Sequence, residues 1–358
     1  MTVQHRDREA EADHPAAVGG ARVRHESAPS DLMRRFLAMF AVHDLLLLVY
    51  YGTVSTLLAL VGPERATEGV TRRVLLSVVV VLIGCLVGRG PHDLPQKLRS
   101  LAYRAAMVFV ILDGYLMLRD LLPALRADAV DAQLYALDMA IFGVEPAFWL
   151  ERYSTPQVVE YFAFFYFSYF GICVFYMLMV IGPLNLRPDT SRFAIGTVLV
   201  LCLGQLGYVM VPAFGPIKAM AGDFQAPLQG GFWWDAVLKT VAAGSAQKDV
   251  FPSLHTAMPC WFTLYAIGRA DNRMWRLIAI VTGVFAGHIV ISTMLLRWHY
   301  LIDVIAGLGL AAFAAWASRR LMAWESVVRG RLRAPHAWSF EGPASRTEPV
   351  PELQTRTR

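Results

Sequence analysis

Charge is scarce in this 358-residue chain. Asp, Glu, Lys and Arg together make up 17% of it, too little to coat a soluble domain of that length. Cysteine is scarce as well. Cys85, Cys173, Cys202 and Cys260 all sit inside apolar runs with no CxxC spacing. That excludes a disulfide framework and a thiolate zinc site, and leaves them as small buried hydrophobes. Residues 1–30 lack an apolar h-region, so no cleavable signal peptide is expected and the first apolar run must direct insertion.

What the chain has in abundance is hydrocarbon: 56% of it is hydrophobic and its mean hydropathy is +0.44. Phe36–Val61, Val74–Gly88, Ala102–Leu122, Val158–Gly182, Phe193–Val211, Ser253–Ile267, Leu277–Leu295 and Leu301–Leu321 approach the length needed to cross a bilayer, about 20 apolar residues. Val74–Gly88 and Ser253–Ile267 are the shortest. The fold class is therefore all-α, a polytopic transmembrane helix bundle of about eight spans, because a helix satisfies its own backbone polar groups in lipid.

A net charge of +5 and a pI near 9.1 do not point to nucleic acid. The arginines cluster in the tails and in short loops between apolar runs, which is the pattern of cytoplasmic anchoring. With an even number of spans both tails are expected inside, together with Arg187, Arg192, Arg269, Arg273 and Arg276, although Arg65, Arg72 and Arg73 then fall outside. Residues 1–30 and 325–358 read as disordered cytoplasmic tails. Between them, 31–128 holds N-terminal transmembrane helices and 129–324 the remaining membrane core.

Two segments break the pattern. In Ala129–Tyr153, acidic residues alternate with apolar ones, and its Trp and Tyr suit the headgroup zone; it predicts an amphipathic helix on the outer membrane surface. The longest polar connection, Pro212–Val250, carries Lys218, Lys239 and Lys248 and is placed to cap whatever lies at the start of the next span.

That span opens with Asp249-Val-Phe-Pro-Ser-Leu-His255. Pro followed by Ser marks a helix N-terminus, where free N–H groups and the helix dipole favour an anion. In Arg297-Trp-His-Tyr-Leu-Ile-Asp303, the four-residue spacing of His299 and Asp303 puts both on one helix face. The carboxylate can then fix the imidazole tautomer and free the other nitrogen to attack or to take a proton. A metal site is the rival reading, but His and Asp alone supply too few ligands. Alternating spans bring both motifs to the same membrane face. Two imidazoles, a carboxylate and a cationic rim suit a phosphate group, and the hydrocarbon around them suits a lipid.

Pro252-Ser-Leu-His255 and Ser292-Thr-Met-Leu-Leu-Arg-Trp-His-Tyr-Leu-Ile-Asp303 resemble the second and third signature motifs of the type 2 phosphatidic acid phosphatase superfamily. The form Phe-Pro-Ser-Leu-His-Thr-Ala is most similar to the inositol phosphorylceramide synthase branch, with weaker support from Leu137–Gly143 and Gly215-Pro216. The resemblance implies a catalytic core of about six helices. It also implies metal-independent and cofactor-free phosphoryl transfer in two steps through a phosphohistidine. His299 would be the nucleophile, Asp303 its orienting group and His255 the acid for the leaving oxygen, with Ser253 and nearby amides on the phosphate. The substrate would be a lipid with a phosphate-linked headgroup, and an alcohol or lipid could serve as acceptor. The site would face the exoplasmic or periplasmic side.

Two departures matter. The first motif, Lys followed after six residues by Arg-Pro, is missing, since Arg187-Pro188 has Val180 at the Lys position. Thr293 stands where an Arg is expected. Arg297, Lys218 and Lys248 are the candidate replacement cations. A non-catalytic lipid-binding or transport protein that keeps the fold is the alternative; the missing motif favours it, and intact His255, His299 and Asp303 argue against it.

Among residues outside these motifs, His288 reads as a packed helix histidine and Asp44 has no evident partner. The aromatic run Tyr161–Phe170 reads as core or lipid-facing packing.

Overall fold

The computed structural model describes residues 31–62, 64, 68–90, 93–180, 189–244 and 248–338. Both expected disordered tails fall largely outside the described residues, as does the Arg187-Pro188 pair. In chain order the helices are α1 (Asp31–Ala38), α2 (Val42–Val61), α3 (Glu68–Arg89), α4 (Gln96–Leu125), α5 (Asp131–Phe142), α6 (Pro146–Glu151), α7 (Pro156–Val180), α8 (Thr190–Met210), α9 (Pro216–Ala219), α10 (Phe232–Gly244), α11 (Leu254–Ile267), α12 (Arg273–Leu295) and α13 (Leu301–Arg331). No strand occurs among the described residues; Ala213 and Asp249 form one isolated parallel bridge.

Among the described residues seven helices, α2, α3, α4, α7, α8, α12 and α13, are long and apolar enough to cross a membrane, so this is an integral membrane protein. The expected sixth span is the exception. As α11 it has 14 residues, about 21 Å at 1.5 Å per residue, against a hydrocarbon core of about 30 Å. Conversely, the short run at Val74–Gly88 is part of the 22-residue α3, because helix extends through charged Arg72 and Arg73 beyond the apolar stretch. The first run is split. Asp44 reaches back to the Ala41 amide and starts α2 as a separate helix after α1.

The bundle is built around α8, the most enclosed of the spans. It packs against α2, α11 and α13, while α12 packs against α7 and α11, and α3 and α4 form a hairpin on the flank. The stretch after α4 is tied to the Pro212–Val250 connection. Lys248 Nζ donates to the Ala127 and Asp128 carbonyls at 2.7 and 3.0 Å.

Asp44 finds its partners at the end of the bundle away from Pro212–Val250. Arg89 donates to its Oδ2 at 2.7 Å, and the Tyr103 hydroxyl donates to Oδ1. Arg329 donates to the carbonyls of Ala38, Phe40 and Pro335, and His43 stacks on Trp338 with ring centroids 5.4 Å apart. Placing the C-terminal tail boundary at residue 325 is thus corrected. Helix α13 continues to Arg331, and Trp338 is buried, because this polar cluster needs both.

Candidate active site

His255 lies in the first turn of α11, just after the Ser253 N-cap, whose hydroxyl accepts from the Thr256 amide at 3.2 Å. His299 lies in the tight link between α12 and α13. There Leu296 bonds back to Ser292, and the Trp298 and His299 amides both bond back to the Thr293 carbonyl. Arg297 takes a positive φ of 65° in that link, a left-handed conformation costly for a side chain. It turns the chain so that Trp298 and His299 face one cavity.

The two helix starts are fastened together. The Ser253 amide donates to the Asp303 carbonyl at 3.0 Å. Gly307 makes the approach possible, since a Cβ there would lie 2.6 Å from the Ser253 carbonyl oxygen. The His255 and His299 rings end up with centroids 6.2 Å apart, close enough to flank one phosphorus-sized centre. They line a cavity of about 90 Å³ with Lys218, Asp249, Tyr115 and Trp298. The Pro212–Val250 connection covers it through α9 and α10, as its position in the chain led us to expect.

Asp303 sits beside the nucleophile candidate, with Oδ2 3.5 Å from His299 Nδ1. That oxygen accepts the Tyr300 amide at 2.9 Å, so the carboxylate caps α13 as well as flanking the ring. His299 Nδ1, His255 Nε2 and Asp303 Oδ1 are buried with no hydrogen-bond partner among the described residues. Burial pushes the His299 imidazolium down to about 4, with the Asp249 carboxylate and the Val250 carbonyl opposing it. The ring is therefore neutral at physiological pH, the form that can attack.

Of the candidate cations, Lys218 lines the cavity, and the other two do not. Arg297, with its left-handed backbone, is buried away from the cavity. It donates to Glu151 at 3.1 Å and to the Ala226 carbonyl at 3.0 Å, with its guanidinium over the Phe224 ring. The Lys248 ammonium is held by carbonyls at the end of α4, where the helix dipole favours a cation. Ser253 is fully buried, its hydroxyl taken by the cap and its amide by Asp303. It does not line the cavity.

Several residues that matter here carried no clear sequence signal. The Tyr166 and Tyr169 rings each stand 4.3 Å from the His255 ring, holding it in an aromatic clamp. The run Tyr161–Phe170 therefore serves the site as well as the core. Ala129–Tyr153 is not one surface helix but two short ones, α5, which braces α13, and α6, which packs against α12. Asp138 on α5 accepts the Leu301 and Ile302 amides at 2.7 and 3.0 Å. Asp131 accepts the Phe214 and Gly215 amides and the Tyr300 hydroxyl. Behind them Glu145, buried beside Asp138, is pushed up to about 8 by desolvation, so a proton is held within this carboxylate group. Asp249, at the head of the stretch that ends in His255, lines the cavity between the two histidines' helices. Tyr115, from α4, enters the cavity from outside the motif region altogether. His288 behaves as expected, stacking on Phe165 and bonding to Val284 and Tyr161.

No curated protein and no solved structure matches the chain. The PAP2 superfamily matches residues 132–317, a stretch that holds both histidines, Asp303, and the α5 brace. It spans more than half of the 358 residues, and the chain belongs to the PAP2 superfamily.

Proposed function

We propose that this membrane protein transfers or hydrolyses the phosphate-linked headgroup of a lipid through a phosphohistidine at His299, without a metal. The convergence of His255 and His299 on one small cavity at the end of the bundle carries this reading. In the first step a His299 ring nitrogen attacks phosphorus and the bond to the leaving oxygen breaks. Burial, with His299 nearby, holds His255 down at about 3; a substrate phosphate anion facing the ring favours its charged form, and the proton it then carries passes to that oxygen. In the second step His255 takes a proton from water or an alcohol, whose oxygen attacks phosphorus and displaces His299. Lys218 supplies positive charge to the equatorial oxygens, the kind of fixed electrostatic complement on which phosphoryl transfer depends.

The form of the two motifs supports a phosphotransferase of the inositol phosphorylceramide synthase type over a simple phosphatase. We place the site on the exoplasmic or periplasmic side with the tails in the cytoplasm, so that a headgroup enters laterally while its tails remain in hydrocarbon. The test is to incubate purified protein with labelled lipid phosphates and phosphoinositol donors, with and without alcohol acceptors. Product should form without added divalent metal, and His299→Ala should lower turnover by at least roughly 10³-fold. Normal turnover in that variant would remove the phosphohistidine step.

A further inference from the structure

Beside the catalytic cavity, the same end of the bundle holds a wider, open groove of about 560 Å³ between α3 and α4. Arg72, Arg73 and Arg119 border it, and Val70, Pro123 and Ala124 form an apolar floor. The three cations are not equivalent. Arg73 is paired with Asp113 at 2.6 Å and lies 3.6 Å from Asp120, so its charge is largely spent within the protein. Arg119 reaches only the Ala243 carbonyl, at 3.5 Å. Arg72 is exposed, and among the described residues no hydrogen bond or ion pair engages it. Two guanidinium groups thus remain to face a ligand across the groove.

Their placement says which ligand. Planar guanidinium forks match phosphate oxygens in geometry as well as charge. The floor is apolar and lies where two helices long enough to cross a membrane end, the part of such a helix that meets the bilayer interface. A free anion would gain nothing from that floor. Arginines that merely anchor helix ends in the interface would spread around the bundle, and would not distinguish anionic from zwitterionic lipid. The groove also adjoins the catalytic cavity. Tyr115, one turn before Arg119 on α4, lines that cavity, and so does Gly244, next to the Ala243 carbonyl that Arg119 touches.

We propose that the Arg72–Arg119 groove binds the headgroup of an anionic phospholipid alongside the catalytic cavity. The site is independent of the chemistry at His299. The test is competitive lipid binding to the purified full chain in detergent, read by native mass spectrometry. Phosphatidylglycerol is titrated against phosphatidylcholine of the same chain length, for the unaltered protein, for Arg72→Gln with Arg119→Gln, and for His299→Ala. The unaltered protein and His299→Ala should both prefer phosphatidylglycerol by about tenfold or more, given the attraction each arginine adds. The double Gln variant, with an unchanged unfolding midpoint, should bind the two lipids nearly equally. Equal binding by the unaltered protein, or an undiminished preference in the double variant, would overturn the site. Complete displacement of the lipid by millimolar inorganic phosphate would also overturn it, since the groove would then recognise the anion and not a lipid.

Discussion

Two polar clusters are buried at opposite ends of this apolar bundle, and they are finished differently. At the end containing Asp44, both carboxylate oxygens are engaged, Oδ2 by Arg89 and Oδ1 by Tyr103, and His43 Nε2 lies 2.6 Å from the same tyrosine hydroxyl. At the catalytic end, His299 Nδ1, His255 Nε2 and Asp303 Oδ1 have no partner among the described residues. Burying an unpaired polar group costs folding free energy. His43 Nδ1 is also without a partner among the described residues, so the contrast lies in the carboxylates: Asp44 is engaged through both oxygens, and Asp303 keeps one unpartnered beside the two histidines. The first cluster is a fastening that ties α2, α3, α4 and the end of α13 together. The second sets its two histidines across a small cavity, as the proposed reaction requires.

The comparison can be broken most directly at the fastening. Asp44→Ala leaves Arg89 buried without its counter-charge and should cost about 3–5 kcal/mol of stability, measured by unfolding in detergent. Turnover per folded molecule should stay close to normal. Equal loss of turnover would mean the two ends are coupled. The lysines sharpen the contrast within the catalytic end. Lys218→Ala should lower kcat by about 10²-fold, as expected for removing one group that stabilises developing charge. Lys248→Ala should lower stability more than kcat, because its ammonium caps α4. Comparing kcat with the unfolding midpoint for each variant distinguishes the two roles.

Gly307→Ala is expected to act on geometry alone. Its methyl group would push α13 from the Ser253 carbonyl, and a displacement of about 1 Å in reacting groups can cost up to about 10²-fold. A kcat loss of roughly tenfold with little change in KM is expected from steady-state kinetics. The smallest effect is in pH. With His299 depressed to about 4 in the folded state, its neutral form persists well below the ordinary imidazole value of about 6.5. The acid limb of kcat/KM due to this group should lie near its folded pKa and not near the ordinary one. The sign for stability follows: between those two values the unfolded chain binds a proton that the folded chain does not. Stability from this group is complete above the upper value and is lost as pH falls through the lower. Unfolding curves of the unaltered protein and His299→Gln, compared across that window, would reveal it.

Much of this was legible in the residues. Hydrocarbon content marked a helical membrane bundle, and the short spacing made His299 and Asp303 neighbours, although His299 precedes α13 in the link and does not share its face as expected. Alternation of spans brought His255 to the same end, and chain position put Pro212–Val250 over the site. What was not legible involves long-range partners. Asp138 caps α13 from 163 residues away, and Glu160 of α7 accepts the Gly231, Trp233 and Trp234 amides at the start of α10. Nothing local announces such a bond, because the donor is a backbone amide that any residue could provide. Arg297 misled for a related reason. Its charge and position recommend it for phosphate, but a side chain's direction follows the backbone dihedral, and that was set by the turn.

The order of amino acids by itself determined the solvent this chain folds in, the helical character of its spans and the chemical identity of the reacting groups. These follow from hydrophobicity and local periodicity, which are additive along the chain. Tertiary structure alone decided which cation enters the cavity, which aromatic rings grip His255 and which carboxylates start α13. Those choices depend on close packing between helices, and packing is a property of surfaces that meet only once the bundle has formed.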